Sequence, residues 1–184
     1  MIEEIQGPDL PVTIALEYLD TTISEASAEK ALNRKELKHV SRSVLEALRN
    51  LHDDGYVHAD LKPDNVYVNM QVGDNRFSEV KLGDMGSKAE EDRENLPLHV
   101  LMRQLYWFGP FPDKTVEIAD EEITKTLAAL KRNNLPAQQG MFKTIPETEL
   151  SKKDNEFVRR IMKMDWRDRP SAGDLLEDEW WEDE

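Results

Sequence analysis

Asp60, Lys62 and Asn65 place a carboxylate, an ammonium and an amide within one short loop, and a further carboxylate, Asp84, follows nineteen residues after Asn65. An ionised carboxylate within hydrogen-bond reach of a hydroxyl can orient it and take its proton. An ammonium two residues away offers positive charge to an anion. The oxygens of Asn65 and Asp84 suit a hard cation such as Mg²⁺, which keeps several waters and takes few protein ligands. Alone in a loop, each of these residue types is ordinarily a cap, a turn former or solvated charge. Their joint spacing is what argues for chemistry.

The elements that must position them can be read from periodicity. Asn33 stands three residues before Glu36 as a capping box, and Leu37, Val40, Val44, Leu48 and Leu51 repeat at spacings of three and four, which predicts a helix to about Asp53. Two β-type runs follow the loop, Val66 to Met70 and Val80 to Leu82, joined through the turn residues Gly73-Asp74-Asn75. Upstream, alternation of Val12, Ile14, Leu16 and Tyr18 predicts a strand near residues 11 to 18, with a turn region through Asp20 and Ser24. Leu98, Leu101, Leu105 and Phe108 repeat helically, with Pro97 in a first turn and Gly109-Pro110 as the stop. Further helices are expected over 119 to 132, 153 to 163 and 171 to 178, the last supported by Ser171 as cap with Asp174 three residues on. The closing Glu182-Asp183-Glu184 is expected to fray.

Composition bounds the function. The 184 residues carry 38 acidic and 24 basic side chains, a formal charge of -14, which disfavours nucleic acid and anionic lipid as partners and leaves basic proteins or peptides as the attracted class. With no cysteine there is no disulfide, thiolate metal site or cysteine nucleophile. The four histidines, His39, His52, His58 and His99, are read as packing or surface residues. An acidic N-terminus and the lack of any apolar run of membrane-spanning length predict an intracellular, soluble protein, cytoplasmic or nuclear, with no membrane association.

The stretch Tyr56-Val57-His58-Ala59-Asp60-Leu61-Lys62-Pro63-Asp64-Asn65 resembles the catalytic loop of eukaryotic-type protein kinases, and Gly83-Asp84-Met85-Gly86 resembles their metal-binding Asp-Phe-Gly motif. Ala15-Leu16-Glu17-Tyr18-Leu19-Asp20 resembles the strand and hinge between the two kinase lobes. The run from Phe157 to Ala172, ending Asp165-Trp166-Arg167-Asp168-Arg169-Pro170-Ser171-Ala172, resembles the last segment of the larger lobe. The chain is thus similar to the protein Ser/Thr kinase family, Lys62-Pro63 matching the serine/threonine class better than the tyrosine-specific one.

The resemblance implies ATP and Mg²⁺ as cofactors and phosphoryl transfer to protein hydroxyls, with a protein substrate or a regulatory protein as partner. It makes Asp60 and Lys62 catalytic and Asn65 and Asp84 metal ligands. Glu17 and Leu19 become backbone contacts to the adenine, Leu16 the guard of the pocket behind it, Tyr67 the residue under the base, and Lys62 a phosphate partner. His58 would hold the loop by hydrogen bonding. The implied fold is mainly α with a small β component, one domain over residues 1 to 184. Its parts are a hinge strand about 11 to 19, the catalytic loop 56 to 65, the metal-binding motif 83 to 86 and a helical part 96 to 178.

The family pattern fails in three places. No Gly-x-Gly-x-x-Gly loop or Val-Ala-x-Lys strand precedes residue 11. Only Ser87 to Pro97 separate Gly86 from the next helix, where the family fits an activation segment, an Ala-Pro-Glu motif and a long buried helix. Ala59 replaces the usual arginine, the receptor for an activation-loop phosphate. These gaps imply weak turnover by the chain alone, with a pseudokinase or interaction module as the alternative. A small-molecule phosphotransferase of the aminoglycoside-kinase type lacks both Lys62-Pro63 and the Asp165 to Ala172 ending. Arg169, in the family the partner of the absent motif's glutamate, is expected to turn outward to water or to meet Glu90, Glu91 or Asp92.

Overall fold

The computed structural model describes residues 3–5, 13–84, 98–133 and 140–182. These fall into two compact units, Met1–Ser87 and Lys88–Asp183. In chain order the first unit contains β1 (Glu3–Ile5), β2 (Thr13–Ala15), β3 (Thr21–Thr22), α1 (Ile23–Glu29), α2 (Arg34–Asp53), β4 (Val66–Met70) and β5 (Phe77–Leu82). The second contains α3 (Leu98–Phe108), α4 (Glu121–Asn133), α5 (Lys152–Ile161) and α6 (Ala172–Leu176), linked by short 3₁₀ turns. The fold is mainly α with a small β component, as the sequence implies.

The first unit is built on α2 and the β4–β5 ribbon. The capping box at the head of α2 is present: Asn33 Oδ1 accepts from Glu36 N at 3.0 Å, and Glu36 Oε2 accepts from Asn33 N at 2.9 Å. Val40 of α2 packs with Val66 and Val68 of β4 and Phe77 of β5. Because successive strand residues face opposite sides, Val66, Val68, Val80 and Leu82 turn to this core, while Tyr67, Asn69, Glu79 and Lys81 lie on the other face. Asn33→Ala is expected to cost about 1 kcal/mol in urea denaturation, with Asn33→Ser retaining most of it, since either side chain can satisfy the first-turn donors.

Glu36 has a second task that its position in the capping box does not reveal. It is fully buried, and its carboxylate accepts from Arg76 Nε at 2.7 Å and Nη2 at 3.2 Å, and from Arg76 N at 3.2 Å. Arg76 also donates to the carbonyls of Ala26 and Lys30, at 3.4 and 2.9 Å. One guanidinium thereby ties the ribbon to α1 and the start of α2.

Two expectations change here. The turn region through Asp20 and Ser24 is a two-residue strand, β3, pairing with β4, followed at once by α1, whose N-cap Thr22 accepts from Glu25 N at 3.3 Å. Ile23 and Ala26 of α1 are buried, but with few apolar residues in Ile23–Glu29 its period is too short to stand out in sequence. Of the strand expected over 11 to 18, Thr13–Ala15 is paired antiparallel with β1, residues 16–19 have no regular structure, and residues 11 and 12 lie outside the described residues. Leu16 and Tyr18 are 63% and 79% exposed, so their alternation reports no buried face.

In the second unit Phe157 of α5 stacks on Trp180, with ring centroids 4.3 Å apart, and Trp180 Nε1 donates to Asp154 Oδ1 at 2.7 Å. Leu175 and Leu176 of α6 are buried, and the expected capping box of Ser171 and Asp174 starts that helix. Asp165 is buried and held by Arg167 through Nε at 3.0 Å and Nη2 at 2.7 Å, while Arg167 also donates to Glu117 at 2.9 Å. Arg169 is exposed and donates to the Lys163 carbonyl at 2.7 Å, with no carboxylate partner among the described residues. Glu90, Glu91 and Asp92, its other expected partners, lie outside the described residues.

Candidate active site

α2 ends at Asp53, and after Gly55 the chain enters the loop that carries Asp60, Lys62 and Asn65. A single 3₁₀ turn, Pro63–Asn65, then delivers it into β4. Pro63 suits that turn because its fixed φ and missing N–H cost nothing in a first helical position. The loop is held from inside by Asn65, which is buried and whose Nδ2 donates to Asp60 O at 2.8 Å and Asp60 Oδ2 at 3.1 Å. Lys62 Nζ donates to the same Oδ2 at 2.6 Å. One carboxylate oxygen of Asp60 is therefore fixed by both a cation and an amide.

The same residues carry Asp84 to the site. Asn65 O accepts from Gly83 N at 2.9 Å, and His58 Nε2 meets Gly83 O at 2.9 Å. Because His58 Nδ1 accepts from Asp60 N at 3.3 Å, the ring proton belongs on Nε2, which donates to Gly83. His58 thus holds two loops together, the packing role the resemblance gives it. Asp84 follows with φ of +54°, a left-handed conformation uncommon outside glycine, and its charge reaches Lys62.

The electrostatics follow from these contacts. The hydrogen bond from Lys62 holds the Asp60 carboxyl below its ordinary range, with the hydrogen bond from Asn65 adding to the effect. Asp60 in turn raises the Lys62 ammonium, assisted by Asp64 and Asp84. Both side chains are about half exposed, so a substrate can reach them.

Asn65 spends its amide nitrogen on Asp60, and no donor among the described residues reaches its Oδ1. That leaves an amide oxygen for a cation, on the residue whose backbone oxygen holds Gly83, next in chain to Asp84. Among the described residues no group of three or more histidine, aspartate and glutamate side chains is arranged to hold a metal by itself. The donor set available is two hard oxygens, which fits Mg²⁺ completed by water and phosphate.

Tyr67 lies on the outer face of β4 with its ring against Gly83: a Cβ there would sit 2.9 Å from Tyr67 Cε2. A side chain at 83 would displace the ring or the backbone leading to Asp84. Glu17 is paired with Lys81 of β5, and Leu19 is half-buried in the link between β2 and β3. Met85 and Gly86 lie outside the described residues. Sequence reading missed Lys81; a cation on the polar face of a ribbon is common, and only the fold shows which acid it meets.

The family model of the protein kinase domain matches residues 4–110. This chain belongs to the protein kinase family. Among curated kinases, the serine/threonine-protein kinase STE20 of Kluyveromyces lactis is 27% identical over 90% of this chain and 18% of its own length. The serine/threonine-protein kinase shk1/pak1 of Schizosaccharomyces pombe is 24% identical over 89% of this chain and 27% of its own. The mouse serine/threonine-protein kinase Kist is 44% identical over a shorter stretch, 33% of this chain and 15% of that kinase. The chain therefore spans about a quarter or less of the length of these kinases. No described helix is long and apolar enough to cross a membrane.

Proposed function

We propose that this chain is the catalytic-loop part of a protein serine/threonine kinase, binding Mg²⁺·ATP with Lys62, Asn65 and Asp84 and using Asp60 to direct the phosphoryl group to a protein hydroxyl. The observation that carries the reading is the shared Asp60 carboxylate, fixed by Lys62 and Asn65 while the backbone of Asn65 holds the strand end that presents Asp84. On this reading the whole of residues 1–184 serves one kinase-like domain. Its partners are protein substrates or regulators, basic ones favoured by the charge of -14, and its location is intracellular, cytoplasmic or nuclear.

In the proposed reaction Asp60 orients the acceptor hydroxyl and takes its proton as transfer proceeds. Its lowered pKa keeps it ionised and makes it a weak base, so orientation is its larger contribution. Lys62 would turn part of its hydrogen bonding from Asp60 to the transferring phosphate. Asn65 Oδ1 and Asp84 would hold Mg²⁺, which neutralises charge on the phosphates. Glu17 and Leu19 would meet the adenine edge through their backbone, with Tyr67 beneath the base. The 184 residues contain no glycine-rich phosphate loop, so turnover by this stretch alone is expected to be weak.

Thermal unfolding with Mg²⁺·ATP tests the reading. At a hundred times the Kd, ATP should add about 2.7 kcal/mol of stability. Asp84→Asn should remove the part of that gain that depends on Mg²⁺ while leaving the apoprotein's melting temperature unchanged. No stabilisation at millimolar Mg²⁺·ATP would sink the proposal. Stabilisation without any transfer to protein hydroxyls would make the chain a pseudokinase.

A further inference from the structure

The link from Leu16 to Asp20 has no regular structure, and Leu16 and Tyr18 are exposed, so burial does little to fix its path. It is instead tied down by side chains on the outer face of β4–β5. At one end Lys81 Nζ donates to Glu17 Oε2 and, at 2.9 Å, pairs with Glu79 Oε1. At the other, Asp20 N donates to Asn69 Oδ1 at 3.2 Å and Met70 N donates to Asp20 Oδ2 at 2.7 Å. Asn69 Nδ2 donates to Glu79 Oε2 at 2.9 Å, closing the path. Glu17, Lys81, Glu79, Asn69 and Asp20 thus form one continuous relay.

We propose that Lys81 and Asn69 are positioning residues for nucleotide binding, clamping both ends of the link whose backbone would meet the adenine. The inference rests on the nucleotide reading given above. Tyr67 shares the relay's face, being paired with Lys81 across the ribbon while Asn69 pairs with Glu79. The relay therefore sets the link relative to the Tyr67 ring, and through Gly83 relative to Asp84. Stability is a poor explanation for it: Lys81, Glu17 and Glu79 are each more than a third exposed, and exposed ion pairs contribute little. A five-member network that fixes a link without its own structure acts on geometry, where small displacements have large effects on binding. The apolar core lies on the opposite face of the ribbon, so the clamp can be removed without opening it.

The test measures Kd of the full chain for adenosine, Mg²⁺·ATP and Mg²⁺·tripolyphosphate by calorimetry. Lys81→Met should weaken adenosine and ATP by about tenfold each and leave tripolyphosphate within twofold. Lys81→Arg, which keeps a cation for Glu17, should recover most of the loss. Amide exchange should quicken at residues 17 to 20 in Lys81→Met and stay unchanged in α2. Equal adenosine affinity in wild type and Lys81→Met would overturn the positioning role and leave the site reading standing. Parallel loss of all three ligands with a lowered melting temperature would also overturn it, as a merely structural role. A wild type that binds neither adenosine nor ATP overturns the nucleotide reading itself, and the clamp's role with it.

Discussion

Asp60→Asn is expected to lower phosphoryl transfer by roughly 10² to 10⁴, the usual contribution of a positioned proton acceptor, with Mg²⁺·ATP affinity changed by less than about threefold. The asparagine is isosteric, and its side-chain oxygen can still accept from Lys62 and Asn65, the two donors that hold the carboxylate now. What it loses is the charge that orients a hydroxyl and the capacity to take its proton. Labelled phosphate transfer to a basic protein, followed beside calorimetric ATP binding, separates these effects. Transfer at the wild-type rate would remove Asp60 from the reaction. A fall in binding equal to the fall in rate would make it a ligand-holding residue instead.

Arg76→Met is expected to cost on the order of 3 to 5 kcal/mol, read from the midpoint of urea unfolding, because it leaves the Glu36 carboxylate buried without its cation. Adding Glu36→Gln to that variant should restore part of the loss, since the uncompensated charge is then gone. The effect depends on pH. Hydrogen bonding from Arg76 is the main cause that lowers the Glu36 pKa from 4.5 to about 2. A carboxyl whose folded value is depressed contributes fully above its unfolded value, and the contribution fades as pH falls toward the folded one. The stability gap between wild type and Arg76→Met should therefore narrow as pH drops from about 4.5 to about 2. A loss under about 1 kcal/mol at pH 7 would show that the pair is unimportant to the fold.

These two predictions draw on different parts of the first unit, and they were not equally legible in the sequence. Asp60, Lys62, Asn65 and Asp84 stand out because the stretches that carry them resemble two kinase motifs in the right order, after a strongly periodic helix and on either side of a hairpin. The capping box at Asn33 and Glu36 was legible as a contact three residues long. Arg76 was not, for its partner is forty positions away and an arginine after a turn is ordinarily solvated. Nor was the short α1, whose seven residues give less than two turns of pattern. The strand predicted over 11 to 18 was too long because alternation of apolar residues reports a buried face only where a partner strand and a core exist.

The sequence by itself named the candidates for chemistry, through the motifs they sit in, and most of the local elements that flank them, through periodicity. It also determined the family, because the loop and the later glycine-aspartate pair are contiguous stretches. Only the tertiary structure decided that Asn65 gives its nitrogen to Asp60 and has no donor to its oxygen among the described residues, that His58 bridges to Gly83, and that Glu17 is claimed by Lys81. The reason is range. Each of these is a choice among several competing partners, and which one is within hydrogen-bond distance is set by how β4 and β5 register and where the core turns them, not by any pattern along the chain.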